Sequence, residues 1–197
     1  NRSVTGVVSN YHFSPTETSK ENLLRENKKE NSILVTGNTV IDALLFSVNK
    51  IKSSSFIDDG VVELQKLIDD HKKVILITGH RRENHGQGFL NIYAAIKEIA
   101  KNHPEAQIIY SVHLNPNVQK PVYDLLAGID NIKLIAPLSY PAFVWLMEKS
   151  YLIITDSGGV QEEAPSLGKP VLVLRDETER PEAIEAGTVI LVGSSKE

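Results

Sequence analysis

The chain has 197 residues, of which 41% are hydrophobic and 23% are charged, so it is long enough and apolar enough to bury a core. Its net charge of -4 argues against nonspecific binding to nucleic acid or to an anionic membrane surface. The absence of cysteine excludes disulfides and thiolate metal sites and is typical of cytoplasmic proteins. Its apolar runs of about five residues are too short to cross a bilayer.

Residues 1–30 predict the tail end of one domain. They contain a helix end, a short strand around residue 12 and a second helix capped by Thr16 or Thr18. The charged segment 26–31 has no apolar periodicity and predicts a linker. We therefore expect a domain boundary between residues 30 and 31. Because the chain starts without methionine and stops on a polar SSKE segment after a strand, we also expect it to be cut at both ends.

Residues 31–197 predict a second domain of alternating strands and helices. A strand at 32–36 and a turn at Gly37 precede a helix at 39–50, which we expect to face inward through Ile41, Leu44 and Leu45. Further strands are expected at 74–78, 106–112, 131–135, 152–154, 170–174 and 188–192, with helices at 61–68, 89–100, 117–126, 140–148, 158–167 and 182–185. This alternation predicts an α/β fold with a Rossmann-like, doubly wound parallel sheet.

The segment 151–174, YLIITDSGGVQEEAPSLGKPVLVL, predicts a strand, a glycine turn, a helix and a strand. In such a unit the helix N-terminus faces the ligand crevice at the carboxyl ends of the strands. Free N–H groups and the positive end of the helix dipole at Ser157, Gly158 and Gly159 predict an anion site, with phosphate as the expected occupant.

Glu162 and Glu163 lie one helical turn beyond these glycines. A carboxylate would repel a phosphate in contact with it, so we expect one of the two to bind a neutral diol such as a ribose. The alternative interpretation is a glycine-rich turn followed by a solvated acidic first turn, which the helix dipole also favours.

His80 directly follows the strand at 74–78 and Gly79, which predicts a place on the crevice floor. A histidine there can donate to a diphosphate or exchange a proton with it near neutral pH. The alternative is a histidine that caps the next helix. Of Arg81 and Arg82, at most one is expected to face the ligand.

Other loops at the carboxyl ends of the predicted strands contain further candidate ligand-binding residues. His113 ends a strand and either binds ligand or belongs to a helix cap. Phe143 and Trp145 share one helix, and one of them is expected in the core while the other stacks on a nucleobase. Arg180 opens a helix after a strand and either binds an oxyanion of the ligand or pairs with Asp176 or Glu177.

No cofactor or metal is expected. The sequence has no HExxH motif and no pair of histidines at i, i+4 on one helix. It also lacks a GxGxxG fingerprint, since Gly86-Gln87-Gly88 has no third glycine, so nicotinamide chemistry is not expected.

Several segments resemble the non-hydrolysing UDP-N-acetylglucosamine 2-epimerases, and the likeness runs along nearly the whole chain. The most specific is TDSGGVQEEAPSLGKPVLVLRDETERPEA (155–183). The others are HFSPTETSKENLLRENK (12–28), TGNTVIDALL (36–45), TGHRREN (78–84), VHLNPNV (112–118), FVWLM (143–147) and AGTVILVG (186–193).

The resemblance implies half of a two-domain fold of the glycosyltransferase-B type, with the UDP-sugar between the halves. It implies interconversion of UDP-GlcNAc and UDP-ManNAc by elimination and re-addition of UDP, with no nicotinamide and no obligatory metal. It further implies a cytoplasmic, homodimeric full-length protein that supplies precursors of cell-surface polysaccharide.

The family's functional residues can be transferred to matching positions. The resemblance implies a catalytic role for His80 and UDP contacts for Arg2, Phe143, Ser157, Gly158, Gly159 and Glu163. Some bacterial members bind a second UDP-GlcNAc as an activator, and Arg81 and His113 match residues of that site.

The family's amino-terminal domain, which holds the acids that act on the C2 proton, is not matched by this sequence. We therefore expect the 197-residue chain to bind UDP without being an active epimerase alone. Two alternatives remain: a retaining glycosyltransferase of the same fold, and a UDP-binding half without chemistry. Hydrolysing epimerases share the fold but usually carry a kinase domain that this sequence lacks.

Overall fold

The computed structural model describes residues 2–53, 55–79, 86–178 and 180–195. The chain divides into two compact units, Asn1–Phe46 and Ser47–Glu197. The domain boundary expected between residues 30 and 31 stays a prediction.

The first unit holds a pair of parallel strands with short helices. Its elements are α1 (Arg2–Val8), β1 (His12–Ser14), α2 (Glu17–Arg25), a 3₁₀ turn (Glu30–Ser32), β2 (Ile33–Val35) and the start of α3 (Thr39–Lys52). In the strand pair, His12 lies opposite Ile33. Thr16 caps α2, because its Oγ1 accepts a 3.1 Å hydrogen bond from the Ser19 N–H. Of the two caps considered from the sequence, Thr16 is therefore the correct one.

The buried stripe of α3 differs from the expected one. Leu44 and Val48 are buried, whereas Leu45 is 45% exposed, so its predicted inward position is wrong. Residues 44 and 48 are one turn apart on one helical face, and residue 45 is rotated about 100° from residue 44. Because Leu44, Leu45 and Phe46 are all apolar, the sequence alone does not show which face of α3 is buried.

The second unit is an α/β sandwich around a six-stranded parallel sheet. It contains α4 (Asp59–Leu67), β3 (Lys73–Gly79), α5 (Gln87–Asn102), β4 (Ala106–Val112), α6 (Pro116–Leu126), β5 (Ile132–Ile135), α7 (Tyr140–Lys149), β6 (Leu152–Thr155), α8 (Gly158–Ser166), β7 (Val171–Val173), α9 (Pro181–Glu185) and β8 (Val189–Leu191). The strand order is β5-β4-β3-β6-β7-β8, and all neighbours are parallel. The predicted α/β fold with a doubly wound sheet is confirmed.

This strand order creates a topological switch point. The chain begins the sheet at β3, moves outward through β4 to β5, and then crosses back so that β6 pairs with the other side of β3. From β6 it moves outward in the opposite direction through β7 to β8. In open α/β sheets, ligands bind outside the carboxyl ends of the strands at such a reversal. The loops that follow β3 and β6 therefore flank the expected crevice.

The sheet is buried because its inner strands are apolar on both faces. The β3 run Val74–Ile77 is buried throughout, as expected for a parallel strand with helices on both sides. On one face it meets α5, whose buried residues are Phe89, Ile92, Tyr93, Ile96 and Ala100. Among the helices in the described part of the chain, none has the length and apolarity needed to cross a membrane.

Candidate functional site

The two strands at the switch point are tied together where they end. The main-chain N–H of Asp156, just after β6, donates to the Thr78 carbonyl of β3 at 3.3 Å. The Asp156 side chain is fully buried, and a methyl group added at Gly79 would lie 3.5 Å from its Oδ2. The crevice floor at Gly79 is thus a close-packed contact between the ends of β3 and β6.

The turn from β6 into α8 is fixed by two hydrogen bonds around Thr155. Its Oγ1 accepts from the Ser157 N–H at 3.0 Å, and its carbonyl accepts from the Leu174 N–H at 2.9 Å. Ser157 occupies the N-cap position of α8, but its side chain makes no capping hydrogen bond. The first-turn amides of α8 are therefore not used by their own cap residue and face the crevice with the positive end of the helix dipole.

Gly159 stands in open surroundings at this helix start. Apart from its own helix backbone, the one described heavy atom within 4 Å of a Cβ placed on Gly159 is the Ser157 Oγ at 3.9 Å. Packing among the described residues therefore does not require glycine at this position. Two successive glycines do allow an anion to approach the helix amides closely.

The two acids of α8 have different partners. The Glu162 carboxylate accepts a hydrogen bond from the Arg180 Nε in an ion pair. Glu163 is only 8% exposed, and its Oε1 accepts a 3.1 Å hydrogen bond from the Tyr140 hydroxyl. The sequence predicted both acids near the anion site without distinguishing them. The structure distinguishes them, because one forms an ion pair and the other a hydrogen bond to a neutral hydroxyl.

Burial raises the pKa of the Glu163 carboxyl above its usual value. The hydrogen bond from Tyr140 opposes this rise in pKa, and the negative charge of Glu162 adds to it. Partial burial, the charge of Glu163 and the hydrogen bond that Tyr140 donates raise the pKa of Tyr140 to about 12. Tyr140 therefore stays protonated, and remains a donor, at neutral pH.

Sequence reasoning missed a buried polar bridge beside this acid pair. The Gln161 side chain is fully buried, its Nε2 donates to the Ser157 carbonyl at 3.2 Å, and its Oε1 accepts from the Thr178 hydroxyl at 2.6 Å. Thr178 Oγ1 also accepts from the Arg180 N–H at 3.1 Å. Together these bonds fix the loop before α9 against the start of α8. The only sequence signal was a glutamine at a position where the helix faces inward.

Other predicted residues lie on neighbouring elements. Phe143 is half-buried on α7, one turn beyond Tyr140. Trp145 is also half-buried, with the Lys149 Nζ 5.8 Å from its ring centroid. His113 is exposed after β4, and its Nδ1 accepts a 3.1 Å hydrogen bond from the Asn115 N–H. The alternative considered for His113 was that its neighbours cap the next helix, and Asn115 does cap α6, because its Oδ1 accepts from the Asn117 N–H at 3.0 Å. A ligand role for His113 stays a prediction.

Arg2 lies in the first unit, where its guanidinium pairs with Glu26. His80, Arg81 and Arg82 lie outside the described residues. The described acid that pairs with Arg180 is Glu162 of α8, whereas the alternative considered from the sequence was Asp176 or Glu177. Within the described ranges, no group of three or more His, Asp or Glu side chains is arranged to hold a metal ion.

Comparison with known proteins decides the family. The family model described as UDP-N-acetylglucosamine 2-epimerase matches residues 1–197, the whole chain. The chain belongs to the UDP-N-acetylglucosamine 2-epimerase family. A Yersinia pestis UDP-N-acetylglucosamine 2-epimerase is 57% identical over 195 residues, which are 99% of this chain and 52% of that protein. The chain thus spans about half the length of the curated epimerases it matches.

Solved epimerases show the same architecture. The crystal structure of the Neisseria meningitidis UDP-GlcNAc 2-epimerase bound to UDP-GlcNAc matches with a TM-score of 0.93 at 56% identity, over 100% of this chain and 53% of that chain. The Methanocaldococcus jannaschii UDP-GlcNAc 2-epimerase, in complex with UDP-GlcNAc and UDP, matches with a TM-score of 0.85 at 39% identity. That match covers 100% of this chain and 54% of the archaeal one.

Proposed function

We propose that this chain carries the UDP-binding, carboxy-terminal half of a non-hydrolysing UDP-GlcNAc 2-epimerase. The complete protein would interconvert UDP-GlcNAc and UDP-ManNAc by eliminating UDP and adding it back to the other face of the sugar. We propose a cytoplasmic, homodimeric protein in the synthesis of cell-surface polysaccharide precursors.

One observation carries the binding proposal. The glycine-led start of α8 lies at the switch point of the sheet, and its N-cap side chain makes no hydrogen bond to the first-turn amides. Such a helix start favours a phosphate by its N–H groups and its dipole. The solved relatives that hold UDP-GlcNAc or UDP support the identity of that phosphate ligand.

The partners of the two α8 acids favour Glu163 for the ribose. Glu162 is already neutralised by Arg180. Glu163 lies one turn beyond Gly159 on α8, so the two residues share one face of the helix. We place the ribose at Glu163 and the phosphates at the glycines. In this arrangement Phe143 on α7 packs at the uracil, and Ser157 joins Gly158 and Gly159 at the diphosphate.

The remaining assignments rest on the family resemblance and on the positions of the residues in the chain. We propose His80 as the catalytic residue at the diphosphate, with Arg180 and Arg2 as further substrate contacts. We assign Arg81 and His113 to a second UDP-GlcNAc that acts as an activator.

The α8 amides have a direct part in this chemistry. In the elimination a base removes the C2 proton, the C2–H electrons form the C1–C2 double bond, and the C1–O bond breaks with its electron pair passing to UDP. Negative charge therefore grows on the diphosphate in the transition state, where preorganised amides and a helix dipole stabilise it. His80 can supply a proton to the departing phosphate oxygen. The base is expected from the half of the protein that this chain does not match.

Calorimetric titration with UDP tests the binding proposal. Removing a hydrogen-bonded acid from the ribose is expected to weaken UDP binding to Glu163→Ala by about ten- to a hundredfold. Glu105→Ala is the matched control, because it removes the same charge just before the amino end of β4, at the opposite end of the strands from the proposed site. Equal affinities of the two variants and the unaltered chain would remove Glu163 from the ribose site.

A further inference from the structure

A side chain on α7 makes a hydrogen bond to Glu163 on α8. The Tyr140 hydroxyl of α7 donates to Glu163 Oε1 at 3.1 Å, across a separation of 23 residues. Glu163 is buried, while Tyr140 is 44% exposed at the first position of its helix. A glutamate side chain has three rotatable torsions, so a fixed donor restricts where its second oxygen points.

The bond to Tyr140 uses one carboxylate oxygen and leaves the other. Within the described ranges, the bond from Tyr140 is the one hydrogen bond that the Glu163 carboxylate makes, so Oε2 can accept from a ligand hydroxyl. An ionised carboxylate has acceptor sites on both oxygens and can bind a tyrosine and a diol at once. The structure thus offers an acid whose orientation is set before the nucleotide arrives.

We propose that Tyr140 is a positioning residue that orients Glu163 toward the ribose hydroxyls and so makes the site select ribonucleotides over nucleotides without these hydroxyls. The inference rests on the proposed ribose role of Glu163 and adds to it the group that fixes the carboxylate. Preorganisation of this kind increases affinity because less side-chain freedom is lost on binding.

A purely structural role for Tyr140 would have a different signature. If the phenol served only to join α7 to α8, its loss would loosen the whole site and would weaken every uridine nucleotide alike. If the phenol orients Glu163, its loss weakens the binding only of a nucleotide whose ribose hydroxyls Glu163 can bind. Comparing two ligands that differ only in these hydroxyls separates the two roles.

The experiment is calorimetric titration of the chain with UDP and with 2′,3′-dideoxy-UDP. The variants are Tyr140→Phe, Glu163→Gln and the double variant. Tyr123→Phe on α6 is the matched control, since it removes a phenol that is 45% exposed on a helix away from the site. Thermal melting of each variant confirms that it is folded.

Tyr140→Phe is expected to weaken UDP binding by about five- to tenfold and dideoxy-UDP binding by less than about twofold, as the loss of one charge-assisted hydrogen bond predicts. Glu163→Gln should also weaken UDP binding more than dideoxy-UDP binding. The UDP affinity of the double variant should lie within about twofold of that of Glu163→Gln, because both substitutions disrupt the same interaction with the ribose hydroxyls. Tyr123→Phe should leave both affinities unchanged.

The contradicting results are distinct for the two proposals. Equal losses for both ligands in Tyr140→Phe, or no loss for either, would overturn the positioning role, while a hydroxyl-dependent loss in Glu163→Gln would leave the ribose role intact. If Glu163→Gln also fails to distinguish the two ligands, the ribose assignment falls, and the positioning role falls with it. If the folded chain binds no UDP, the proposed function is contradicted directly.

Discussion

Folding and ligand binding favour different protonation states of the Glu163 carboxyl. Its burial disfavours the ionised form, which is why the pKa of its carboxyl is raised. A ribose site needs the ionised form, because both of its oxygens then accept hydrogen bonds. The Tyr140 hydroxyl reduces the cost of ionisation by donating to Oε1, without removing it.

Glu163→Gln is therefore expected to raise the thermal unfolding midpoint of the ligand-free chain at neutral pH. A carboxyl whose pKa is raised on folding binds more protons in the folded state, so the stability it contributes is full at low pH and is lost as the pH rises through the folded-state pKa. Glutamine has no charge to bury and retains an oxygen for Tyr140. Thermal melts of both proteins from pH 3 to 8 measure the difference.

The advantage of Glu163→Gln should appear as the pH rises above the usual glutamate pKa of about 4.3 and should be absent below it. An advantage that is independent of pH, or that grows toward acid, would show that burial of the charge is not its cause. The same variant is expected to bind UDP more weakly, so stability and affinity should change in opposite directions.

At this scale the sequence predicted the residues that lie on one element and missed those that meet across elements. Gly158, Gly159 and Glu163 stand in one segment, so helical spacing relates them directly. Tyr140 and Thr178 reach α8 from elsewhere in the chain, through hydrogen bonds at 3.1 Å and 2.6 Å. No local pattern encodes such contacts, because they depend on how helices pack on the finished sheet.

At the scale of the element, α8 has two glycines where helix stability favours almost any other residue. Glycine costs up to about 1 kcal/mol relative to alanine within a helix. Nothing among the described neighbours of Gly159 blocks a side chain, since the nearest atom is 3.9 Å from a Cβ placed there. Packing among the described residues therefore does not account for glycine at position 159, and the proposed approach of a phosphate to its amide is the explanation that the next variant tests.

Gly159→Ala is expected to separate folding from binding. The unfolding free energy should stay the same or rise by up to about 1 kcal/mol, from the better helix propensity of alanine. UDP affinity should fall by about tenfold or more, because the added methyl group keeps the phosphate from the amides. Chemical denaturation and calorimetry with UDP measure the two quantities.

Gly168→Ala provides the opposite pattern as a control. Gly168 follows α8 with φ at +70°, and among the described residues nothing beyond its chain neighbours lies within 4 Å of a Cβ placed there, so the backbone conformation is what opposes alanine. This variant should lose roughly 1 kcal/mol of stability while the folded chain keeps its UDP affinity. A Gly159→Ala variant that binds UDP normally would show that the diphosphate does not approach this helix start.

Most elements were predictable because their patterns are long or are punctuated clearly. The helices predicted at 89–100 and 158–167 correspond to α5 (Gln87–Asn102) and α8 (Gly158–Ser166) within two residues at each end. The buried face of α3 was not, because adjacent apolar residues from Leu44 to Phe46 offer two faces and only one of them is used. Tertiary packing chooses between such faces, and a single sequence does not record the choice.

At the scale of the whole molecule, the alternation of strands and helices predicted a parallel sheet but not the order of its strands. The return of the chain after β5, which places β6 beside β3, creates the crevice. That crossover depends on long-range pairing, which local propensity does not encode. Once the order is known, the general rule for open α/β sheets predicts that ligands bind at the loops after β3 and β6.

The 197-residue chain is expected to bind UDP without epimerising UDP-GlcNAc. Its described crevice offers amides and an acid for the nucleotide, and the elimination also needs a base near C2 of the sugar. Conversion of UDP-GlcNAc to UDP-ManNAc, and solvent deuterium incorporation at C2, are measured for the chain and for a full-length family member. Turnover by the chain close to that of the full-length enzyme would contradict this expectation.

The most direct measurement is a crystal structure of the chain with UDP. We predict that the diphosphate oxygens lie within about 3 Å of the Gly158 and Gly159 amide nitrogens, and that the ribose hydroxyls lie within the same distance of the Glu163 carboxylate. UDP bound at a different part of the chain, with the start of α8 left to solvent, would contradict the assignment of the nucleotide site.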